Sequence, residues 1–309
     1  MPEIADDFPS IALVGFGEAG HAFASGWSLP PTVRPKAYDV KLHDEATTGP
    51  VLERCASAGA EPVADANKAL DGAGLVFSVV TADQALEAAR TCAPHLERNA
   101  LWLDCNSCAP QTKQQAALLI EAAGGRYVDV AVMAPVYPKR HEVPLLLAGP
   151  HASEAASVIV RLGMRPSVAG DRIGDASSIK MLRSVMIKGL EALVVESYAT
   201  ARHYGVEDHV LPTLAETFPS IDWHEQGRYF FSRVVQHGQR RAEEMRESAH
   251  TVREAGMEPL MASAIAAMQQ WVADLAREGV FKALPKDARW QDYADRVLGS
   301  LDGDDAARN

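Results

Sequence analysis

The sequence predicts a doubly wound, mainly parallel α/β sheet over residues 1–170, followed by an all-α domain over residues 171–309. Three observations predict it. Short, continuous apolar runs alternate with Ala-rich helical stretches through the first half. Runs of that kind mark strands covered by helices on both faces, as in a parallel sheet. After about Gly170 no strand-like run appears. The length, 309 residues, suits two domains better than one.

The elements follow in order. Strand-like runs occupy residues 11–14, 37–40, 75–80, 101–104, 127–133 and 145–148. Between most of them lie helical segments such as DQALEAARTCAPHL and PQTKQQAALLIEAAGG. The pair Gly124-Gly125 suits a helix C-cap. Residues 175–204 contain no proline and one interior glycine, Gly189. They predict a helix of roughly 45 Å at about 1.5 Å per residue. Further helices are expected over residues 228–254 and 259–277. No internal repeat or low-complexity tract interrupts the chain.

Composition narrows the function classes. The chain is 47% hydrophobic and 23% charged, with a net charge of -11. That charge argues against a nucleic-acid or anionic-membrane surface, because both need clustered Lys and Arg. No apolar run approaches the roughly 20 residues that span a bilayer. The acidic start MPEIADDFPS lacks the basic and apolar regions of a signal peptide. Four cysteines, Cys55, Cys92, Cys105 and Cys108, are too few for a disulfide scaffold. A cytoplasmic protein is expected. Cys105 and Cys108 form a CxxC pair. A redox or metal site would need it on an exposed turn, with further ligands for a metal. No second CxxC or CxxH follows, so no metal is expected, and two small side chains at a strand end is the simpler reading.

The first chemical motif is Gly15-Phe16-Gly17-Glu18-Ala19-Gly20. It follows the apolar run IALV and opens a helical stretch. In that context Gly15 permits a tight turn. Gly17 lets backbone approach a pyrophosphate, and Gly20 lets the helix pack on the sheet. The helix N-terminus offers N–H groups to phosphates. The pattern predicts a Rossmann domain binding a nicotinamide dinucleotide. Asp39 lies 19 residues after Gly20. A carboxylate there can accept from ribose hydroxyls and repels a 2′-phosphate, which favours NAD over NADP. Lys41 pulls the other way and leaves NADP possible, and Asp39 can also be read as a turn residue only. A methyltransferase places similar residues here, but a C-terminal half made of helices does not suit one.

The predicted long helix carries Lys180, Ser184 and Lys188 at i, i+4 and i+8, on one face. Many of its other residues are apolar. A polar line on such a helix must bond to something. A site, a solvated edge and an ion pair, for example with Glu191, are all open from the pattern alone.

These motifs together resemble the β-hydroxyacid dehydrogenase superfamily, which includes 3-hydroxyisobutyrate and 6-phosphogluconate dehydrogenases, and most closely its 6-phosphogluconate-dehydrogenase-like branch of poorly defined substrate. The family's interdomain motif is GxGxxxKxxxN, with a catalytic lysine. Gly174 and Lys180 match it; Ala176 and Ser184 replace the second Gly and the Asn. The resemblance implies Lys180 as general acid and base. Residues 104–110, DCNSCAP, resemble both DxSTxxP and DGGNS, which puts Asn106 and Ser107 near nicotinamide and substrate. The run ending at Val80-Thr81 resembles the strand that contacts the nicotinamide half. Against the family's DAPVSGG, Asp129 and Val132 match, while Met133-Ala134-Pro135 replaces Ser-Gly-Gly. The serine hydroxyl is gone, and Pro135 has no N–H. Lys139, Arg140 and His141 in the same loop can supply charge instead. The departure implies a substrate larger or less polar than the usual small hydroxyacids. Where the family carries a KDL helix, this chain has Arg240 and Arg241, which can replace the basic residue or form a solvated cluster. Glu243 takes the lysine position itself.

The resemblance thus implies hydride transfer between a nicotinamide cofactor and a hydroxyl-bearing small molecule, with Asn106 and Ser184 orienting the substrate oxygen. It also implies a homodimer through the helical domain. Two rivals stay open: an imine reductase on the same scaffold, and a non-catalytic dinucleotide sensor.

Overall fold

The computed structural model describes residues 8–30 and 32–308. The acidic residues 1–7, on which the expectation of no leader rests, lie outside the described residues. Two compact units divide the chain, Met1–Lys180 and Met181–Asn309.

The first unit is built on one eight-stranded sheet. Its strands are β1 (Ser10–Val14), β2 (Lys36–Tyr38), β3 (Glu61–Val63), β4 (Ala73–Ser78), β5 (Leu101–Asp104), β6 (Arg126–Val132), β7 (Pro144–Ala148) and β8 (Arg165–Gly170). They lie in the order β3-β2-β1-β4-β5-β6-β7-β8. Every neighbouring pair is parallel except β6 with β7. This is the doubly wound, mainly parallel sheet that the apolar runs predict.

The runs are continuous because both faces are covered. Ile11, Leu13, Leu75, Phe77, Leu103 and Val128 point into one buried cluster. Their chain neighbours Ala12, Val14, Val76, Trp102 and Tyr127 point into the other. Helices α1 (Glu18–Ala24), α2 (Glu45–Ala58) and α6 (Ala152–Val160) cover the first face with Phe23, Val51, Cys55 and Ile159. Helices α3 (Ala66–Leu70), α4 (Ala85–Cys92) and α5 (Pro110–Ala122) cover the second with Leu70, Ala89 and Ile120.

Two strands are additions to the sequence reading. In β3 two residues are exposed and the third is half-buried, and β8 contains no buried residue. Both are edge strands, and an edge that buries little carries no apolar run to announce it. Strand β2 also stops at Tyr38, short of residue 40. Asp39 accepts the N–H of Lys41 and turns the chain into a short 3-10 helix, Val40–His43.

Helix α7 spans Asp175–Tyr204, as the lack of proline predicts. Its first turn packs into the first unit: Ala176 is fully buried and clusters with Ala131 of β6 and Ala148 of β7. In the second unit the rest of α7 is joined by α8 (Glu207–Thr217), α9 (Trp223–Glu254), α10 (Leu260–Glu278) and α11 (Trp290–Arg308). Tyr198, Trp223, Phe231 and Trp290 form its main core. Helices α9 and α10 run close at Gly238, where a Cβ would lie 2.7 Å from the Gln269 carbonyl oxygen. No helix among the described residues is long and apolar enough to cross a membrane.

Candidate functional site

The glycine turn joins β1 to α1 at the carboxyl end of the sheet. Gly15 has φ +89°, and a Cβ there would meet the Val79 carbonyl oxygen at 2.8 Å. Gly20 is closed in by the Gly15 carbonyl, also at 2.8 Å. Gly17 faces open space, with nothing within 4 Å of a Cβ position. Glu18 is exposed and Ala19 half-buried in the first turn of α1, and no side chain caps that helix. Phe16 is fully buried and fixes the turn from both sides. Its N–H donates to Asp39 Oδ2 at 2.8 Å, and its carbonyl accepts from Arg54 Nε at 2.9 Å. Asp39 is therefore part of the turn's own scaffold, with its second oxygen on Lys41 N–H at 3.0 Å. Its charge stands at the end of β2, where a dinucleotide's adenosine ribose lies in folds of this order.

At the end of β4, Val79 bonds back to β1, Val80 is half-buried and Thr81 is exposed. At the end of β5 the chain turns through Cys105, Asn106 and Ser107. Asn106 is nearly fully buried. Its amide donates to Ser78 Oγ at 2.9 Å and to Asp104 Oδ1 at 2.8 Å. Those two donations fix the amide's orientation and leave Oδ1 as a buried acceptor with no hydrogen-bond partner. Ser107 accepts a hydrogen bond from Lys180 Nζ at 2.5 Å. The lysine from the first turns of α7 thus meets the strand-end turn that carries Asn106. An open glycine turn and an unanswered buried acceptor, both at the carboxyl ends of parallel strands, fit a dinucleotide.

Beneath this turn lies a charged cluster that is closed to water. Lys113 of α5 is fully buried. Its ammonium donates to the Asp104 carbonyl at 2.6 Å and to Asp104 Oδ1 at 2.9 Å, and lies 3.4 Å from Asp129 Oδ1. Burial opposes its charge, but the two carboxylates outweigh that, Asp104 most strongly, and hold the ammonium protonated. Tyr127 donates to Asp104 Oδ2 at 2.7 Å. Asp129 Oδ2 accepts from Gly174 N–H at 3.1 Å, Ser177 N–H at 3.0 Å and Ser177 Oγ at 3.1 Å, capping the start of α7. Cys105 and Cys108 are both buried, and burial pushes the Cys105 thiol up to about 12. That thiol stays protonated at neutral pH, against a redox role for the CxxC pair. No cluster among the described residues has the ligands to hold a metal.

In the second unit the polar line on α7 continues. Ser184 is half-buried. Lys188 is buried and pairs with Glu244 of α9 at 2.6 Å, not with Glu191. Glu191 instead takes both prongs of Arg241 and a hydrogen bond from Gln269. Arg241 is thus committed to the core. Arg240 is half-exposed, paired with Glu244 at 2.5 Å, and lines a depression of about 370 Å³ with His237 and Glu243.

Residues 10–156 match the NAD binding domain of 6-phosphogluconate dehydrogenase, and residues 201–272 match a domain of unknown function, DUF1932. A conserved hypothetical protein of Sinorhizobium meliloti is 36% identical, with 94% of this chain and 96% of that one covered and a TM-score of 0.79. The conserved protein MTH1747, of unknown function and described as structurally similar to 3-hydroxyacid dehydrogenases, is 30% identical. The alignment covers 87% of this chain and 98% of that one, with a TM-score of 0.70. The chain belongs to the β-hydroxyacid dehydrogenase superfamily. A 3-hydroxyisobutyrate dehydrogenase of Mycobacterium tuberculosis, solved with L-serine, shares the superfamily fold at 12% identity, covering 94% of this chain and 99% of that one with a TM-score of 0.66.

Against the superfamily pattern, the loop after β6 departs most. Met133 is half-buried, and Ala134 and Pro135 are exposed. The loop is fastened to the sheet's helices. The Tyr137 hydroxyl lies 2.7 Å from His21 Nδ1, and His21 Nε2 lies 3.0 Å from Ser57 Oγ. His141 packs on Gly26, where a Cβ would lie 2.0 Å from its Nδ1, and against Gly163, whose φ of +78° favours glycine. Of the three basic residues in that loop, His141 serves packing, and only Lys139 and Arg140 are exposed.

Lys113 is the residue the sequence reading missed. It stands in an ordinary-looking helix, PQTKQQAALLIEA, yet falls on the same face as Ala116, Ala117 and Ile120, all buried. A lysine on the apolar face of a helix is a signal for a buried partner.

Proposed function

We propose that this member of the superfamily is a cytoplasmic, nicotinamide-dependent oxidoreductase acting on a hydroxyl-bearing small molecule, with Lys180 as general acid and base. One observation carries the reading: Lys180 Nζ donates to Ser107 Oγ at 2.5 Å, on the strand-end turn that also holds Asn106. When bound, the nicotinamide supplies or accepts the hydride. In oxidation the substrate C–H bond breaks, its O–H proton passes to Lys180 as the neutral amine, and a C=O bond forms. Reduction runs the same proton in reverse. Asn106 and Ser107 orient the substrate oxygen, and Asn106 Oδ1 is the acceptor that a carboxamide or hydroxyl donor answers. The charge of Asp39 favours NAD over NADP. Met133-Ala134-Pro135 in place of Ser-Gly-Gly favours a substrate larger or less polar than 3-hydroxyisobutyrate.

The test is a panel of β-hydroxyacids and larger alcohols, with cyclic imines as the comparison arm, read at the NADH absorbance. Lys180→Ala is expected to lower turnover by roughly 10²–10⁴ and to leave the Kd for NADH, measured against NADPH, within about twofold of the parent. Near-normal turnover in the variant would overturn the assignment, and oxidation of NADH on imines alone would move it to imine reduction.

In this reading residues 1–170 bind the dinucleotide, and residues 171–309 carry substrate and dimer contacts. Along α7, Leu182, Met186 and Leu193 are 54%, 66% and 56% exposed, an apolar row that supports a homodimer. Light scattering is expected to give a mass near twice the 33.3 kDa of the chain; a clean monomer refutes the dimer.

A further inference from the structure

We propose that Lys113 is a positioning residue that sets the spacing between Ser107 and Lys180. The inference rests on Lys180 being the proton carrier, but its geometry stands apart from that role. The Lys113 ammonium donates to the Asp104 carbonyl and to Asp104 Oδ1, and stands 3.4 Å from Asp129 Oδ1 as an ion pair without a hydrogen bond. Asp104 and Asp129 are register partners on adjacent strands β5 and β6, so their carboxylates stand side by side. With both at zero or near-zero exposure, they repel unless a cation lies between them.

Each carboxylate organises one half of the site. Asp104 Oδ1 also accepts from Asn106 N–H at 3.0 Å and from Asn106 Nδ2, shaping the turn that presents Ser107. Asp129 caps the first turn of α7 through Gly174 and Ser177, three residues before Lys180. The Lys180–Ser107 hydrogen bond then closes a ring of contacts through the turn, the helix start, Asp129, Lys113 and Asp104. Apart from Lys180 itself, every other member of that ring is backbone or a short side chain. Lys113 is the long, rigidly held member that ties the strand-end turn to the helix. Lys113 touches neither Ser107 nor Lys180 in these contacts, so it acts through the carboxylates it joins.

Lys113→Met leaves two buried carboxylates facing each other, and some loss of fold is expected from that alone. Lys113→Met/Asp129→Asn removes the repulsion and keeps an acceptor for Gly174 and Ser177, but restores no bridge. The readout is the acetylation rate of Lys180 by sulfo-NHS acetate in the whole protein, taken by peptide mass spectrometry relative to exposed Lys286. In Lys113→Met the melting temperature is expected to fall by roughly 10 °C. The relative Lys180 rate is expected to rise about tenfold as its hydrogen bond to Ser107 loosens. In the double variant the melting temperature returns close to that of the parent while Lys180 stays fast. A Lys180 rate at the parent value in the double variant overturns the proposal, because charge balance alone would then account for Lys113. If the single variant does not fold, the double variant decides. The labelling needs no substrate, so failure of the dehydrogenase assay and failure of this inference are separate results.

Discussion

At Gly15 the positive φ and the Val79 carbonyl exclude any side chain, and at Gly20 the Gly15 carbonyl does the same. Gly17 is under neither constraint: its φ is -79°, and its Cβ position is open. Nothing in the folded protein itself requires glycine there, which leaves an approaching ligand as the reason for it. Gly17→Ala is therefore expected to melt within about 2 °C of the parent, since Gly-to-Ala at a compatible φ changes stability by under about 1 kcal/mol. Its Kd for NADH, from fluorescence titration, is expected to rise at least about tenfold as the methyl group displaces the pyrophosphate. Unchanged NADH binding would remove the turn from the cofactor site. Gly15→Ala is the contrasting case, expected to lose stability before binding is measured. Asn106 makes a related point: its two donations fix its amide, and the oxygen left over is legible only in three dimensions.

Among the elements of the helical unit, α7 and α9 are joined by charge as well as by apolar packing. Glu191 is 1% exposed and accepts from both Arg241 and Gln269. Removing one partner of a buried pair leaves the other charge without compensation and costs about 3–5 kcal/mol, whereas replacing both by apolar groups is often neutral. Arg241→Met is thus expected to lower the unfolding free energy of the helical unit by that much, read from urea unfolding followed by far-UV circular dichroism. Glu191→Leu/Arg241→Met is expected to recover most of it. A single variant as stable as the parent would mean that water reaches Glu191. The partner of Lys188 makes clear why such contacts escape a sequence reading. Glu191 is the nearby carboxylate on the same helix, but Glu244, 56 residues on, is the one that α9 brings into reach.

Across the whole molecule, legibility in the sequence tracks burial. The central strands are buried on both faces, so their residues are apolar without interruption, and the order of helices and strands follows from that. Strands β3 and β8 bury almost nothing and left no such signature. The glycine turn could be read because glycine has a specific backbone use, whereas the polar line on the long helix left a site and an ion pair open, and only the family resemblance singled out Lys180. Lys113, a lysine on the apolar face of its helix, carried a signal for a buried partner, but the partners themselves could not be named, since its two carboxylates arrive through sheet register, which the linear sequence does not display. Titration is a further whole-molecule property that only the fold reveals. His21 and His141 in the first unit and His237 in the second all have pKa values lowered from 6.5, with burial the largest cause in each. Neighbouring arginines add to it: Arg54 and Arg140 at His21, Arg140 and Arg165 at His141, and Arg233, Arg240 and Arg241 at His237, while Glu142 and Glu244 oppose. A lowered histidine is held neutral by the fold, so the unfolded chain takes up protons first. The stability these groups contribute is complete above pH 6.5 and is lost as pH falls through that value and then through their folded values. Exposed carboxylates such as Asp65 and Glu225 have lowered values and act only further into acid. The melting temperature is therefore expected to be flat from about pH 8 to 7 and to fall between about pH 6.5 and 5. A His21→Asn/His141→Asn/His237→Asn variant should be less sensitive over that window, because an amide cannot take the proton. The same slope in parent and triple variant would place the acid sensitivity elsewhere.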